Sequence, residues 1–86
     1  HWAETWRAVL RLIEQEGSIP AHSVHRWVET LQFIDVSEKD SDLFIRAGAR
    51  NQFTADYVSS RYALALKAAF ERITGKSTTL EFLPLE

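Results

Sequence analysis

Apolar residues recur with a helical period at the start of the chain. Trp2, Trp6, Val9 and Ile13 share one stripe, with Leu10 beside it, and predict a helix from Trp2 to Gln15. Gly17 is the expected stop, because glycine readily takes the left-handed conformation past a helix end. Pro20 fits the first turn of a second helix. There Val24, Trp27, Val28 and Leu31 follow the i, i+3, i+4, i+7 pattern of a single apolar face, so this helix should run to about Thr30. The period then changes. Leu31–Ser37 is rich in β-branched and aromatic residues, alternates loosely and reads as a strand. Glu38–Ser41 is a polar turn. Asp42–Ala47 reads as a second strand, with Leu43 and Ile45 on one face and Phe44 and Arg46 on the other. Two strands joined by a short polar turn predict a hairpin.

Gly48 breaks the strand pattern, and Asn51 is placed to cap a long third helix running to about Thr74. Phe53, Tyr57 and Leu64 mark one stripe on it. Val58, Tyr62, Ala65, Ala69, Phe70 and Ile73 mark a broader one. A helix apolar around so much of its girth should be central and covered on more than one side. Gly75 closes it, and Thr78–Leu83 predicts a third strand before Pro84 stops pairing. The order is ααββαβ, an α+β fold. Three strands cannot cover themselves, so the helices must pack on the sheet. The long crossover suits placement of the third strand beside the hairpin.

Composition narrows the picture. The 86 residues suffice for one compact domain, 1–86. A chain of this size buries only about 60% of the surface it exposes when unfolded, so its core is small. With 45% hydrophobic and 26% charged residues, it has the balance of a globular domain and not of a disordered segment. The absence of cysteine excludes disulfides and thiolate metal sites and is compatible with a cytoplasmic setting. No apolar run approaches the roughly 18 residues of a membrane span, and no signal-peptide pattern opens the chain. Methionine is also absent, which leads us to expect a segment of a longer chain.

Charge is uneven: residues 1–43 carry four Lys/Arg against eight Asp/Glu, and residues 44–86 carry six against four. The second half is too weakly basic for a dedicated nucleic-acid module. Arg46, Arg50 and Arg61 leave room for a weak face toward single-stranded DNA. Nucleic-acid-binding KH domains clamp the backbone with a G-x-x-G loop. Gly48-Ala49-Arg50-Asn51 lacks the second glycine. His22 and His25 are three residues apart, whereas a helical zinc site wants four and further ligands, so a solvated face is expected and no metal. His1 stands apart from both. No phosphate-cradling glycine loop, cysteine nucleophile or distinctive His–carboxylate spacing is present, so neither an enzyme nor a cofactor is expected. Trp2 and Trp6 share a face, and two tryptophans on one stripe of a small domain are hard to bury fully. An exposed one would anchor an interface. Trp27 lies mid-stripe and reads as core.

The joint order of these residues resembles the N-terminal domain of the bacterial replication initiator DnaA. The resemblance rests on Trp6, on Trp27-Val28-Glu29-Thr30-Leu31-Gln32, on Asn51-Gln52-Phe53-Thr54-Ala55-Asp56-Tyr57-Val58 with Tyr62, and on Thr79-Leu80-Glu81-Phe82. It covers essentially the whole chain and implies a KH-like fold. It also implies a role in contact: self-association of initiators, docking of the replicative helicase DnaB, and binding of initiation regulators. Trp6 matches the tryptophan linked to self-association, with Trp2 on the same face. Phe53 matches the aromatic linked to helicase and regulator contact. The second-helix contact position, acidic in some members, falls on Ser23, with His22 and His25 as neighbours. Thr30 and Gly48-Ala49-Arg50 stand where prolines are often found. These departures suggest a divergent member, or a related module joined to a phage, plasmid or regulatory protein. A KH-like single-stranded nucleic-acid-binding or helicase-loader domain is the alternative.

Overall fold

The computed structural model describes residues 2–85; His1 and Glu86 lie outside them. Helix α1 (Trp2–Glu16) ends just before Gly17. A short α2 (Ala21–Ser23) runs into a π-helical turn, Val24–Val28. The hairpin follows as β1 (Gln32–Lys39) and β2 (Asp42–Ala49), then α3 (Gln52–Arg61), α4 (Ala63–Thr74) and β3 (Ser77–Pro84). The strands form one sheet in the order β1-β2-β3, with β1 antiparallel and β3 parallel to the central β2. This is the expected α+β fold with a three-stranded sheet packed against helices.

Two elements differ from expectation. The second helix is not a regular α-helix: the Glu29 N–H reaches back to the Val24 carbonyl at 2.8 Å, an i→i+5 bond that widens the turn by a residue. The widened turn keeps Ser23, Val24, Val28 and the following Leu31 buried together. The long third helix is interrupted at Tyr62, where φ widens to −120° with ψ −2° although the Tyr62 N–H still donates to the Val58 carbonyl at 2.8 Å. Each half then buries its own stripe, Thr54, Ala55 and Val58 on α3 and Leu66, Ala69 and Phe70 on α4. The broad apolar girth read from the sequence is the sum of two narrower faces. Complete cover of that helix does not follow: Phe53 is 67% exposed, Leu64 81% and Ile73 41%.

The strands run longer than their patterns suggest. The hairpin turn narrows to Asp40 and Ser41, and Asp40 takes φ 58°, a conformation that Asp tolerates better than most residues. Gly48 does not end β2 but lies inside it. A Cβ there would come within 2.5 Å of the Leu85 Cδ2, so the glycine makes room for that side chain to lie across the sheet. Pro84 does not stop the pairing either. It sits opposite Ala49, and the Leu85 N–H still donates to the Ala49 carbonyl at 2.8 Å.

Alternation along β2 divides the sheet into two faces. Leu43, Ile45, Ala47 and Ala49 are buried beneath the helices, whereas Phe44 and Arg46 face away. Core residues from every layer meet there: Val9 and Ile13 of α1, Val24 and Val28 of the π-turn, Val58 of α3, and Leu66 and Phe70 of α4. At the start of α3, the Asn51 side chain accepts from the Thr54 N–H at 2.8 Å, the cap expected from the sequence. At the other end Gly75, at φ 72°, closes α4 in the left-handed conformation.

One carboxylate ties α4 to β3. Glu71 accepts from Lys67 Nζ at 2.7 Å and from the Thr78 backbone N–H at 3.0 Å. The Lys67 bond chiefly, then the Thr78 amide, holds its pKa below the ordinary value. A carboxyl with a depressed folded-state pKa adds stability above its unfolded pKa and loses it as pH falls through the folded one. Chemical denaturation measured at successive pH values should therefore show stability falling below pH 4.5, and falling less steeply in Glu71→Gln. Parallel slopes in the two proteins would remove Glu71 from the acid response.

Candidate interaction surface

Two aromatic groups flank the core, and they differ in cover. The inner group joins α1, β1 and α4. Trp6 meets Phe33 edge-on at a centroid distance of 4.7 Å and stacks on Phe70 at 6.0 Å, with Phe33 and Phe70 in T-shaped contact at 6.1 Å. Phe70 is fully buried and Trp6 half-buried. Trp6 is thus anchored inward, and the outer part of the α1 face falls to the partly buried Trp2. Trp2 lines a shallow depression of about 240 Å³ with Thr5, Glu38, Leu43, Thr74 and Lys76.

The outer group lies where the π-turn meets α3. Trp27 stacks on Tyr57 with centroids 4.3 Å apart and planes at 28°. Phe53, one helical turn before Tyr57, stacks on it at 6.0 Å and 27°, and lies 6.1 Å from Trp27. Tyr62 at the helix break meets Tyr57 edge-on at 5.9 Å. Two guanidinium groups close over these rings, Arg26 at 5.4 Å from the Trp27 centroid and Arg61 at 5.1 Å from that of Tyr57. Phe53, at the edge of the stack, stays 67% exposed. Trp27, read from the sequence as core, is only partly buried. The missing signal was pairing across elements: Trp27 and Tyr57 each sit on an apolar stripe, and nothing in either stripe shows that they cover one another at the surface.

The remaining sequence candidates do not gather into one site. Ser23, the last residue of α2, is buried at 7% exposure, so little of this contact position reaches the surface. His22 is exposed. His25 is exposed too, with Nδ1 2.8 Å from a Glu29 carboxylate oxygen and Nε2 3.9 Å from one of Glu14. Arg46 lies on the open sheet face between two carboxylates, its Nε 3.2 Å from Glu81 and its Nη1 3.4 Å from Asp35. Those contacts, the Glu81 hydrogen bond foremost, strengthen its hold on the proton. Arg50 is exposed just before α3, and Arg61 is spent on Tyr57. The three arginines therefore form no continuous basic face. Among the described residues, no three His, Cys, Asp or Glu side chains converge to hold a metal ion, and no helix is long and apolar enough to cross a membrane.

The domain is an α+β fold whose distinctive surface is an aromatic patch rimmed by two guanidinium groups. The comparison with known families is specific: residues 3–72 match the DnaA N-terminal domain, and the chain belongs to that family. It is a replication-initiator-like domain.

The two aromatic groups should respond differently to truncation. Phe53→Ala should cost less than about 1 kcal/mol of stability, as at an exposed site. Trp6→Ala should cost about 2 kcal/mol or more through lost packing on Phe70 and Phe33. Urea unfolding of both variants checks this, and equal losses would contradict the assignment of inner and outer groups.

Proposed function

We propose that this domain is a non-catalytic docking module of a cytoplasmic replication initiator, and that it binds the replicative helicase DnaB or an initiation regulator through the Trp27–Tyr57–Phe53 surface. The observation that carries this reading is the state of Phe53. It is a large apolar side chain, 67% exposed, yet its ring is oriented by the stack on Tyr57. Rings held in place lose little conformational freedom on binding, and aromatic and arginine side chains dominate interface hot spots. Arg26 and Arg61 supply a cationic rim, and exposed His22 lies on the adjoining turn. Family membership supports the same role. Self-association through α1 completes the proposal, with Trp2 as its accessible ring and Trp6 setting the orientation of the helix. The ion-paired state of Arg46 weighs against single-stranded DNA as the main ligand.

Titration of the purified replicative helicase and of initiation regulators with this domain tests the reading. Phe53→Ala should weaken the complex at least about tenfold while leaving the unfolding midpoint nearly unchanged. Unaltered affinity would exclude the aromatic surface. In sedimentation equilibrium, Trp2→Ala should weaken self-association; an unchanged association constant would remove α1 from that contact.

A further inference from the structure

The main chain of the edge strand β3 is divided between two directions. The Ser77 N–H donates to Ser41 at 3.1 Å and the Leu85 N–H to Ala49 at 2.8 Å, so odd-numbered residues turn their polar groups toward β2. Alternation along the strand sends those of the even-numbered residues outward. The first outward amide, Thr78, is already taken by the Glu71 carboxylate at 3.0 Å. At the other end Pro84 has no N–H to offer. Between these two blocks, Leu80 and Phe82 present their N–H and C=O groups to the sheet edge. Natural sheets close exposed edges with such devices, and here both ends are closed while the middle stays open.

A groove of about 220 Å³ runs beside this opening, between the start of α4 and β3, lined by Ala63, Leu64, Lys67, Thr78, Thr79 and Leu80. Leu64 within it is 81% exposed. By register, Leu80 and Phe82 face the same side as Ile45 and Ala47, and Glu81 faces the open side with Arg46. The Glu81 side chain is 57% exposed and contacts Arg46 through one carboxylate oxygen.

We propose that the open stretch of β3 accepts an extended segment of a partner protein as a fourth, antiparallel strand of apolar–basic–apolar pattern. Leu80 and Phe82 each exchange two main-chain hydrogen bonds with the apolar positions. The side chain opposite Leu80 enters the groove beside Leu64. The basic side chain lies opposite Glu81. Charge selects this occupant over a second copy of the chain: antiparallel pairing of two β3 strands across the open stretch sets Glu81 against Glu81, and like charges directly opposite are unfavourable. The edge shares no residue with the Phe53 surface, so the two readings stand or fall separately.

The probe is a blocked pentapeptide, Thr-Val-Lys-Val-Thr, titrated into the domain and followed by the backbone amide signals. Saturable shifts and slowed hydrogen exchange are expected at Leu80 and Phe82. N-methylation of both valines should weaken binding at least about tenfold, since it removes main-chain donors. Replacing the peptide lysine by glutamate should weaken it about threefold, and Glu81→Lys should reverse that preference. Absence of saturable change at Leu80 and Phe82, or equal binding of the N-methylated peptide, would overturn the proposal. Concentration-dependent protection of these amides without peptide would assign the edge to a second copy and overturn it as well.

Discussion

The contact between Trp6, Phe33 and Phe70 gives α1 its place. It joins the first helix, the first strand and the last helix, which are far apart in the chain, at one point beside the sheet. A domain this small has a single core, and each element must reach it to be held. α1 carries Val9 and Ile13 into that core, and the aromatic contact sets how the helix lies over α4. Offset and edge-to-face ring pairs add roughly 0.5–1.5 kcal/mol beyond their buried area, a large share of a small domain's stability. The Arg72–Glu16 ion pair between the same helices is exposed on both sides and adds little to this.

The same chemistry recurs with less cover where the π-turn meets α3. Trp27, Tyr57 and Phe53 stack as core rings do, but Arg26 and Arg61 guanidinium groups lie over two of them and Phe53 stays exposed. The π-turn is what makes this possible. Within it Val24 and Val28 are buried, while Trp27 stays at the boundary against Tyr57 of α3. Structural irregularity and candidate function thus coincide, as is common for π-turns. The proposed function rests on this partly exposed stack, with Phe53 at its outer edge.

The sheet follows a parallel logic. Its inner face is apolar, and its outer face is held by a ladder of side chains across three strands, with Arg46 between Asp35 and Glu81. This pairing consumes the central cation of the open face and leaves the exposed Phe44, Ile34 and Leu85 around it. The register slips between Phe33 and Asp35, which keeps Phe33 turned to the core and Asp35 opposite Arg46. One irregular residue, Ile34, serves both faces at once.

Hydrophobic periodicity determined the succession of helical and strand segments and the inward face of β2, and residue preferences placed the Asn51 cap and the helix ends at Gly17 and Gly75. These are local properties, set by how neighbouring side chains share a face and by what each backbone tolerates. The resemblance to the initiator family was also legible, because it rests on the order of such positions. Tertiary structure decided the rest. Gly48 could not be recognised as a strand residue until Leu85 was seen lying over it, and the break at Tyr62 was hidden because two narrow stripes add up to one broad one. Phe53 and Phe70 look alike in the sequence, yet one is two-thirds exposed and the other buried. Ser23 at the end of α2 is buried, and Arg46 lost its availability to carboxylates from two other strands. Each outcome depends on residues distant in the chain. A side chain's pattern says which face it shares, and only the packed neighbours decide whether that face meets protein or water.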